Sequence, residues 1–230
     1  MKKISLLFLV IIFVAFSAFA QEAATDTWAQ FSFYHPIEYP YDPGSVSYLR
    51  LSLIYGHTPI VHGLDIGLIQ FATVEMSGVE VGLWSRTGAT TGCQIALGLN
   101  YSDEMKGVQI SGLLNKSLNA TGIQYSLSNV AQDVVGAQLA LFTNFSRDLN
   151  GFQGIATYNV CNSGTWAQIG GVNQANMFDG LQLAVLANMA GAMNGVQIGF
   201  INYSDDLSGY QIGVLNRSED GFMPFFNWSD

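Results

Sequence analysis

Few residues of this chain combine a type and a spacing that could do chemistry, and the histidines come first. His35, His57 and His62 are the only histidines, and His57, His62 and Asp65 together offer a conceivable set of metal ligands. Their spacing matches no strong metal-binding motif. We therefore favour surface loop residues over a metal site.

The acidic residues form the second group. Asp205 and Asp206 stand side by side, and a pair of carboxylates could act as acid and base on a glycan. Other acidic residues recur in the loops, and stacked carboxylates can hold Ca²⁺, but the glycine-rich nonapeptide of calcium-binding rolls is absent. We favour solvated turns. The loop acids are Asp103, Glu104, Asp133, Asp148, Asp179, Asp205, Asp206 and Asp220.

The remaining motifs of catalysis are missing. The sequence has no G-x-S-x-G elbow, no phosphate-binding loop and no Cys/His nucleophile pair. We predict a protein that is not an enzyme, with no catalytic, cofactor-binding or metal-binding residues and no cofactor. An extracellular glycan-active enzyme is the remote alternative.

The elements that would position these residues come from a motif that recurs eleven times: Gly, apolar, Gln, apolar, small, apolar, apolar, Asn. Successive motifs begin 13 to 16 residues apart, and most spacings are 14 or 15. Self-similarity at a fixed period predicts an architecture of stacked repeats. The motifs begin at Gly63, Gly78, Gly92, Gly107, Gly122, Gly136, Gly151, Gly164, Gly180, Gly195 and Gly209.

Alternation within the motif indicates strands. Val196 and Ile198 flank Gln197, so we expect the apolar pair to face the interior and the Gln column to face outward. The residue five positions after each Asn is also usually apolar, which indicates that both halves of a repeat face one interior. In a parallel stack, the Gln and Asn amides can hydrogen-bond from coil to coil. The outward Gln stripe could bind a polysaccharide or another chain, but we favour an inert, solvated stripe.

These patterns predict an all-β fold, a parallel β-solenoid of about eleven coils of 14–15 residues with aromatic end caps. An antiparallel transmembrane β-barrel, with one strand per repeat, is the alternative. The extra residue of the longer repeats falls between Gly and Asn, where we expect a bulge. Residues 151–179 break the period with a 13-residue repeat and then a 16-residue one. We favour a local adjustment of register there over a ligand site.

The domain organisation follows from the same patterns. Residues 1–20 resemble a signal peptide, with Lys2 and Lys3 before an apolar run and an Ala-x-Ala site that ends at Ala20. We assign residues 21–62 to an N-terminal segment and cap, residues 63–220 to the solenoid and residues 221–230 to a C-terminal cap. The protein is therefore expected to be exported, to the cell surface, the outer membrane or the periplasm.

Charge and cysteines limit the partners. After cleavage, six Lys and Arg oppose 17 Asp and Glu, a net charge of −11 that disfavours nucleic acid and anionic lipid as partners. Cys93 and Cys161 lie more than four repeats apart, too far for a disulfide in a stack with ~4.8 Å between strands. The partner stays open between an envelope polysaccharide and another protein. Membrane association is expected only under the barrel alternative.

The units GVQIGFIN, GYQIGVLN and GVQISGLLN resemble the repeats of exported bacterial surface-repeat proteins, first noted in spirochaetes. The flanking segments LRLSLIYG and PFFNW are also similar to that family, and the resemblance covers residues 47–230. The resemblance implies an exported protein and no catalytic residues. From the export signal, the repeats and the missing catalytic motifs, we expect a structural or adhesive role at the cell envelope.

Overall fold

The computed structural model describes residues 26–155 and 157–229, so the predicted signal peptide lies outside the described residues. The chain is all-β, without a helix in the described part, and its parallel coils form a β-solenoid of about twelve turns. The predicted fold is confirmed. The chain divides into two compact units, unit 1 up to Ser102 and unit 2 from Asp103, and each is described by itself.

The backbone stays extended through most of the chain, so several strands run through more than one turn of the solenoid. Along the sheet the strands follow the order β2-β1-β3-β4-β5-β6-β7-β8. Their bounds are β1 Asp26–Tyr34, β2 Ile37–Tyr39, β3 Ser45–Ser111, β4 Leu114–Val130, β5 Asp133–Gly154, β6 Tyr158–Ile198, β7 Ile201–Ser218 and β8 Gly221–Ser229.

Successive coils pair in parallel, with like residues opposite one another. Between β4 and β5, Gln124 lies opposite Gln138 and Asn129 opposite Asn144. The β5–β6 and β6–β7 pairs are parallel as well, so the antiparallel alternative is wrong. The register of β4 on β5 shifts between Ser126 and Ser128, which confirms a bulge in the Gly-to-Asn half of the repeat.

The Gln column lies inside the coils, and the prediction that it faces outward is wrong. Gln124, Gln138 and Gln153 are buried, and each donates its Nε2 to the Oε1 of the Gln one coil earlier, at 2.8–2.9 Å. A stacked amide keeps a donor and an acceptor partner, so its burial leaves few polar atoms unsatisfied. Alternation separates two faces but does not choose the inner one.

The apolar neighbours of Gln consequently face outward. Val196 and Ile198 are half-buried instead of forming the core, and Ile123 and Ile212 are exposed. The residues five positions after Asn do point inward, as predicted. In unit 2 these buried residues are Met105, Ala120, Val134, Leu149, Phe178, Met193 and Leu207.

A second ladder runs along the Asn column in the opposite direction. Asn129 donates its Nδ2 to Oδ1 of Asn144 at 2.9 Å, one coil later, and to the carbonyl oxygen of Leu139 at 2.8 Å. Asn144 repeats the pattern with Asn159 and with Gly154. The Asn side chain therefore joins its neighbour's backbone as well as its neighbour's side chain.

The motif glycines form the tight corner of the coil. Gly136 has φ 135°, a conformation that L side chains rarely adopt. A Cβ at Gly136 would lie 2.1 Å from the carbonyl oxygen of Gly122, the corner of the preceding coil. Both the backbone angle and the close stacking exclude a side chain there.

At one coil the corner is not the residue that the motif predicts. Gly151 lies opposite Trp166, and Gln153 opposite Gln168, so the coil begins at Trp166 and not at Gly164. The spacing becomes 15 and then 14 residues, and Trp166 adopts φ 91°. The expected register adjustment is therefore wrong: β5 pairs with β6 without a shift of register, because the buried Gln ladder, and not the glycine, sets the register.

Gly164 instead occupies an inward position, opposite Leu149. A Cβ at Gly164 would lie 2.6 Å from the ring of Phe178, so the ring fills the space that a side chain at residue 164 would take. The exchange of a large and a small side chain keeps the interior filled.

Antiparallel strands end the ladder in each unit. In unit 1, β2 pairs antiparallel with β1, and β1 pairs in parallel with the start of β3, where Gln30 lies opposite Arg50. In unit 2, β8 pairs antiparallel with β7, and Asn227 donates its Nδ2 to Oε1 of Gln211 at 3.0 Å. Only Asn227 of β8 is buried, so the aromatic residues of the predicted cap lie on the surface.

Replacement of Gly136 by Ala should destabilise the chain by about 3 kcal/mol, because it adds a collision with Gly122 to an unfavourable backbone angle. Gly221, at φ 116° with nothing within 4 Å of its Cβ position, is the matched control. Gly221→Ala should cost only about 1 kcal/mol. Urea unfolding measures both, and equal losses would contradict the stacked corner.

Trp166→Gly should stabilise the chain by about 1 kcal/mol, because relief of the strain at positive φ exceeds the entropy cost of glycine. Trp166→Ala keeps a Cβ and should bring no gain. The midpoint of thermal unfolding compares the two variants. A loss of stability in Trp166→Gly would mean that residue 166 is not the corner.

Candidate interaction surface

The outward residues of unit 2 divide lengthwise into two faces of different chemistry. The Gly-to-Asn segments of its eight coils contain no charged residue. We call their outward side chains the charge-free face. Its exposed large members are Ile110, Leu113, Ile123, Tyr125, Leu141, Phe142, Ile155, Leu183, Val185, Leu186, Phe200, Ile201, Tyr210, Ile212, Val214 and Leu215.

The charge-free face is larger than the apolar patches of ordinary soluble proteins. Six residues of strand span roughly 20 Å, and eight stacked coils span roughly 34 Å, which gives roughly 700 Å². The largest patch on a typical monomer covers ~300–600 Å², and larger patches mark sites of interaction. This face is therefore the candidate functional site of unit 2.

Within residues 103–229, the Asn-to-Gly segments carry all the charged residues, and we call their outward side chains the acidic face. Arg147 lies within this face and is held by Asp133 at 2.7 Å and by Asp148 at 3.0 Å. Exposed apolar side chains such as Val135 and Met177 are scattered here. The charged residues are Asp103, Glu104, Lys106, Lys116, Asp133, Arg147, Asp148, Asp179, Asp205, Asp206, Arg217, Glu219 and Asp220.

Basic and aromatic residues mark the borders between the two faces. Lys116, Tyr203 and Arg217 each follow a ladder Asn directly, and the guanidinium of Arg217 lies 5.7 Å from the ring centre of Tyr203. At the other border, Lys106 precedes the corner Gly107 and Trp166 is itself a corner. Cations, amphipathic rings and one carboxylate, Asp179 before the corner Gly180, thus stand where the surface changes from apolar to acidic.

Unit 1 presents an apolar groove of its own, with a volume of about 750 Å³. Inward-pointing Gly67 and Gly82 form its floor, and outward residues on either side form its walls. Five neighbouring strand segments line the groove, so it is roughly 19 Å long. The walls comprise Phe31, Phe33, Leu51, Leu53, Ile66, Leu68, Val81, Leu83 and Leu97.

The interior column of unit 1 begins with charges instead of glutamines. Arg50 and Asp65 are fully buried and form a bidentate pair, with Nε of Arg50 2.9 Å from Oδ1 of Asp65 and Nη2 bound to Oδ2. Glu80 occupies the next coil and accepts a hydrogen bond from Nε2 of Gln94 at 2.8 Å. Asp65 and Glu80 occupy the Gln position of the motif, and Arg50 occupies the same column one coil earlier.

The direction of the hydrogen bonds reverses at this point in the column. Gln94 donates toward Glu80, while Arg50 donates toward Asp65, so two carboxyl groups face each other across one coil spacing. Oε1 of Glu80 is buried without a partner. Burial and the Asp65 carboxylate raise the pKa of Glu80 to about 7.

The residues considered for metal binding lie apart. Asp65 is bound by Arg50. The ring of His57 instead lies 5.1 Å from the ring of His35. Nδ1 of His35 is in turn 3.0 Å from Oε1 of Glu38. Burial, followed by the neighbouring His35, lowers the pKa of His57. Within residues 26–155 and 157–229, no three His, Cys, Asp or Glu side chains gather as ligands for a metal ion.

The acidic pair Asp205 and Asp206 lies on the acidic face. The hydroxyl of Tyr203 binds Oδ1 of Asp205, and this hydrogen bond raises the pKa of Tyr203. Asp206 lines a depression of about 300 Å³ together with Asp179 and Gly164. The depression includes part of the irregular segment 151–179, and no side chain extends into it from Gly164.

Both cysteines are free thiols, as the spacing predicts. Cys161 is buried in the column two positions after Asn, where it lies 3.4 Å from Nε2 of Gln168, and burial raises its pKa to about 12. Cys93 is half-buried, and burial raises its pKa as well. Both thiols therefore stay protonated at neutral pH.

Comparison with protein-family models, with curated proteins and with solved structures finds no match to this chain. In the described part of the chain, no helix is long and apolar enough to cross a membrane.

The charge-free face was not foreseen from the sequence. Its signal was present, because charged residues are missing from the outward positions of the Gly-to-Asn segments.

Glu80→Gln should remove a pH dependence of stability. The pKa of Glu80 is about 7 in the folded chain and 4.5 ordinarily, so its proton stabilises the fold below pH 4.5 and this contribution is lost as the pH rises through 7. The variant should therefore gain on the order of 3 kcal/mol at pH 8 and little at pH 4.5.

Urea unfolding of both chains at pH 4.5 and pH 8 measures this difference. Asp65→Asn is the matched control, because it leaves Arg50 buried without its ion pair and should destabilise the chain at both pH values. An equal effect of Glu80→Gln at the two pH values would show that Glu80 does not hold the proton.

Proposed function

We propose that this chain is a non-enzymatic, exported surface-repeat protein with a structural or adhesive role at the cell envelope. The signal-peptide pattern of residues 1–20 and the resemblance of residues 47–230 to exported surface-repeat proteins support export. The role follows from contact and not from catalysis.

The observation that carries the proposal is the repetition of outward apolar side chains from coil to coil. Ile110, Tyr125, Leu183 and Ile212 hold the same position of the motif, three residues after the corner glycine, in different coils. Each coil adds the same increment of contact area, so weak contacts sum along the stack. Such a surface suits attachment to an extended partner better than recognition of one small molecule.

The buried Gln column removes support for a polysaccharide partner that binds amides. Gln138, Gln153 and Gln168 bind one another through their amides. A polar partner could meet the acidic face, but the exposed apolar area lies on the opposite half of each coil. We therefore take the charge-free face as the working surface.

The location can be tested by expressing residues 1–230 in a bacterium with two membranes. We expect a product that begins at Gln21, that remains in the envelope fraction and that is lost when intact cells are treated with protease. Ala18→Asp/Ala20→Asp is the control, because it removes the small residues of the cleavage site and should leave the chain unprocessed. An uncleaved wild-type chain in the cytoplasm, or a processed chain free in the medium, would contradict the proposal.

A further inference from the structure

We propose that the charge-free face of unit 2 seats in one leaflet of a lipid bilayer, with its border residues at the headgroups and the acidic face in water. This inference rests on the proposed function, since it names what the working surface of the envelope protein touches. It differs from the barrel alternative because the coils lie on the membrane and do not cross it.

The absence of charge is the first argument. None of the Gly-to-Asn segments of the eight coils carries a charged residue, although charges are frequent in the intervening segments. A charge within the hydrocarbon of a membrane costs about 2.5–3.5 kcal/mol even in the more lenient scales. A face that only met water would gain nothing from this segregation.

The borders supply charge complementarity to a lipid headgroup. Lys106, Lys116 and Arg217 stand where the apolar surface ends, together with one carboxylate, Asp179, so basic residues outnumber acidic ones at the borders. Lys and Arg at a membrane border reach toward the phosphate level while their stems stay in apolar surroundings.

Aromatic residues at the same borders agree with this orientation. Tyr203 stands beside Arg217 at one border, and Trp166 and Tyr210 stand at or next to the corner at the other. Tyr and Trp are enriched at the interface between hydrocarbon and water in membrane proteins. Trp166 is exposed despite its strained backbone, which fits a ring used for contact.

Internal hydrogen bonding of the backbone permits such immersion. In the parallel pairs β5–β6 and β6–β7, backbone groups bond between coils, and the Gln and Asn amides bond inside them. A structure in contact with hydrocarbon must satisfy its polar backbone internally, because no water is available there. The coils of unit 2 meet this condition, because their Gln and Asn amides are hydrogen-bonded inside the coil and the charge-free face presents mainly apolar side chains outside it.

The groove of unit 1, taken by itself, fits the same partner. It is roughly 19 Å long, and one leaflet of a ~30 Å hydrocarbon core is ~15 Å thick, so it can hold one acyl chain lengthwise. Phe31, Leu53, Leu68 and Leu97 line it without a charged neighbour. A lipid chain therefore has an apolar trough available in this unit as well.

A second copy of the chain is the competing occupant. The area of roughly 700 Å² is close to the ~800 Å² per partner of a stable dimer. Such interfaces carry about ten hydrogen bonds, whereas the outward residues of this face are mainly aliphatic, with few hydroxyl groups such as those of Tyr125 and Thr143. The chemistry therefore favours lipid.

Flotation with vesicles of phosphatidylcholine tests the inference. We expect the purified chain to float with the vesicles, and Val185→Asp/Phe200→Asp to lower the bound fraction at least tenfold. Val185 and Phe200 are 77% and 54% exposed on the charge-free face. Met177→Asp is the matched control, since Met177 is 55% exposed on the acidic face, and its binding should equal that of the wild type.

A second measurement does not depend on the charged variants. Val185→Cys and Met177→Cys, each in a Cys93→Ala/Cys161→Ala background, are labelled with an environment-sensitive fluorophore. Vesicles should shift the emission of the label at residue 185 to shorter wavelength and leave that at residue 177 unchanged. Equal shifts at both residues would overturn the proposed orientation.

The inference is also overturned if the wild type does not float with the vesicles. Sedimentation velocity then shows whether the chain is a monomer or a dimer that Val185→Asp separates. The dimer result would identify a second copy as the occupant. An envelope location without vesicle binding would refute the lipid inference and leave the proposed function standing. A soluble chain outside the envelope would refute both.

Discussion

The hydrogen bond between stacked Gln amides is the interaction on which the rest of this structure depends. Each Gln donates to the coil before and accepts from the coil after, as Gln153 does between Gln138 and Gln168. A break in this ladder would leave a buried amide without a hydrogen-bond partner, at a cost of ~1–3 kcal/mol. The ladder therefore fixes the register of the coils that carry it, and it does so even where Trp166 must take a backbone angle that favours glycine.

Placement of the amides inside determines the chemistry of the outer surface. Alternation along a strand sends the neighbours of an inward Gln outward, so the aliphatic residues that usually form a core become the surface. The small core that remains, with Met105, Leu149 and Phe178, fills only the other half of the coil. The chain thus carries its apolar area where a partner can cover it, and its charges where water can reach them.

Much of the fold was readable from the sequence, because the period of 14–15 residues and the apolar residue five positions after Asn both report a closed coil. The sequence did not reveal which face of the strand is buried. The alternation around Gln197 is the same whichever side is buried, and the usual preference for apolar cores favours the wrong side. The corner at Trp166 was missed because Gly164 matches the motif, and only the Gln168 ladder reveals the true register. The buried Arg50–Asp65 pair was missed because the column that contains Asp65 was expected to face outward, and because Arg50 precedes the first motif at Gly63.

The orientation of the coil is tested most directly by thiol labelling of two adjacent residues in a chain without other cysteines. Ala184 is 6% exposed and Val185 is 77% exposed, and cysteine is a small change at either position. In the folded chain without lipid, Val185→Cys should react with a maleimide at the rate of a free thiol, and Ala184→Cys should react only after unfolding. Rapid labelling at residue 184 with protection at residue 185 would mean that the aliphatic residues line the interior, and it would contradict a buried Gln ladder.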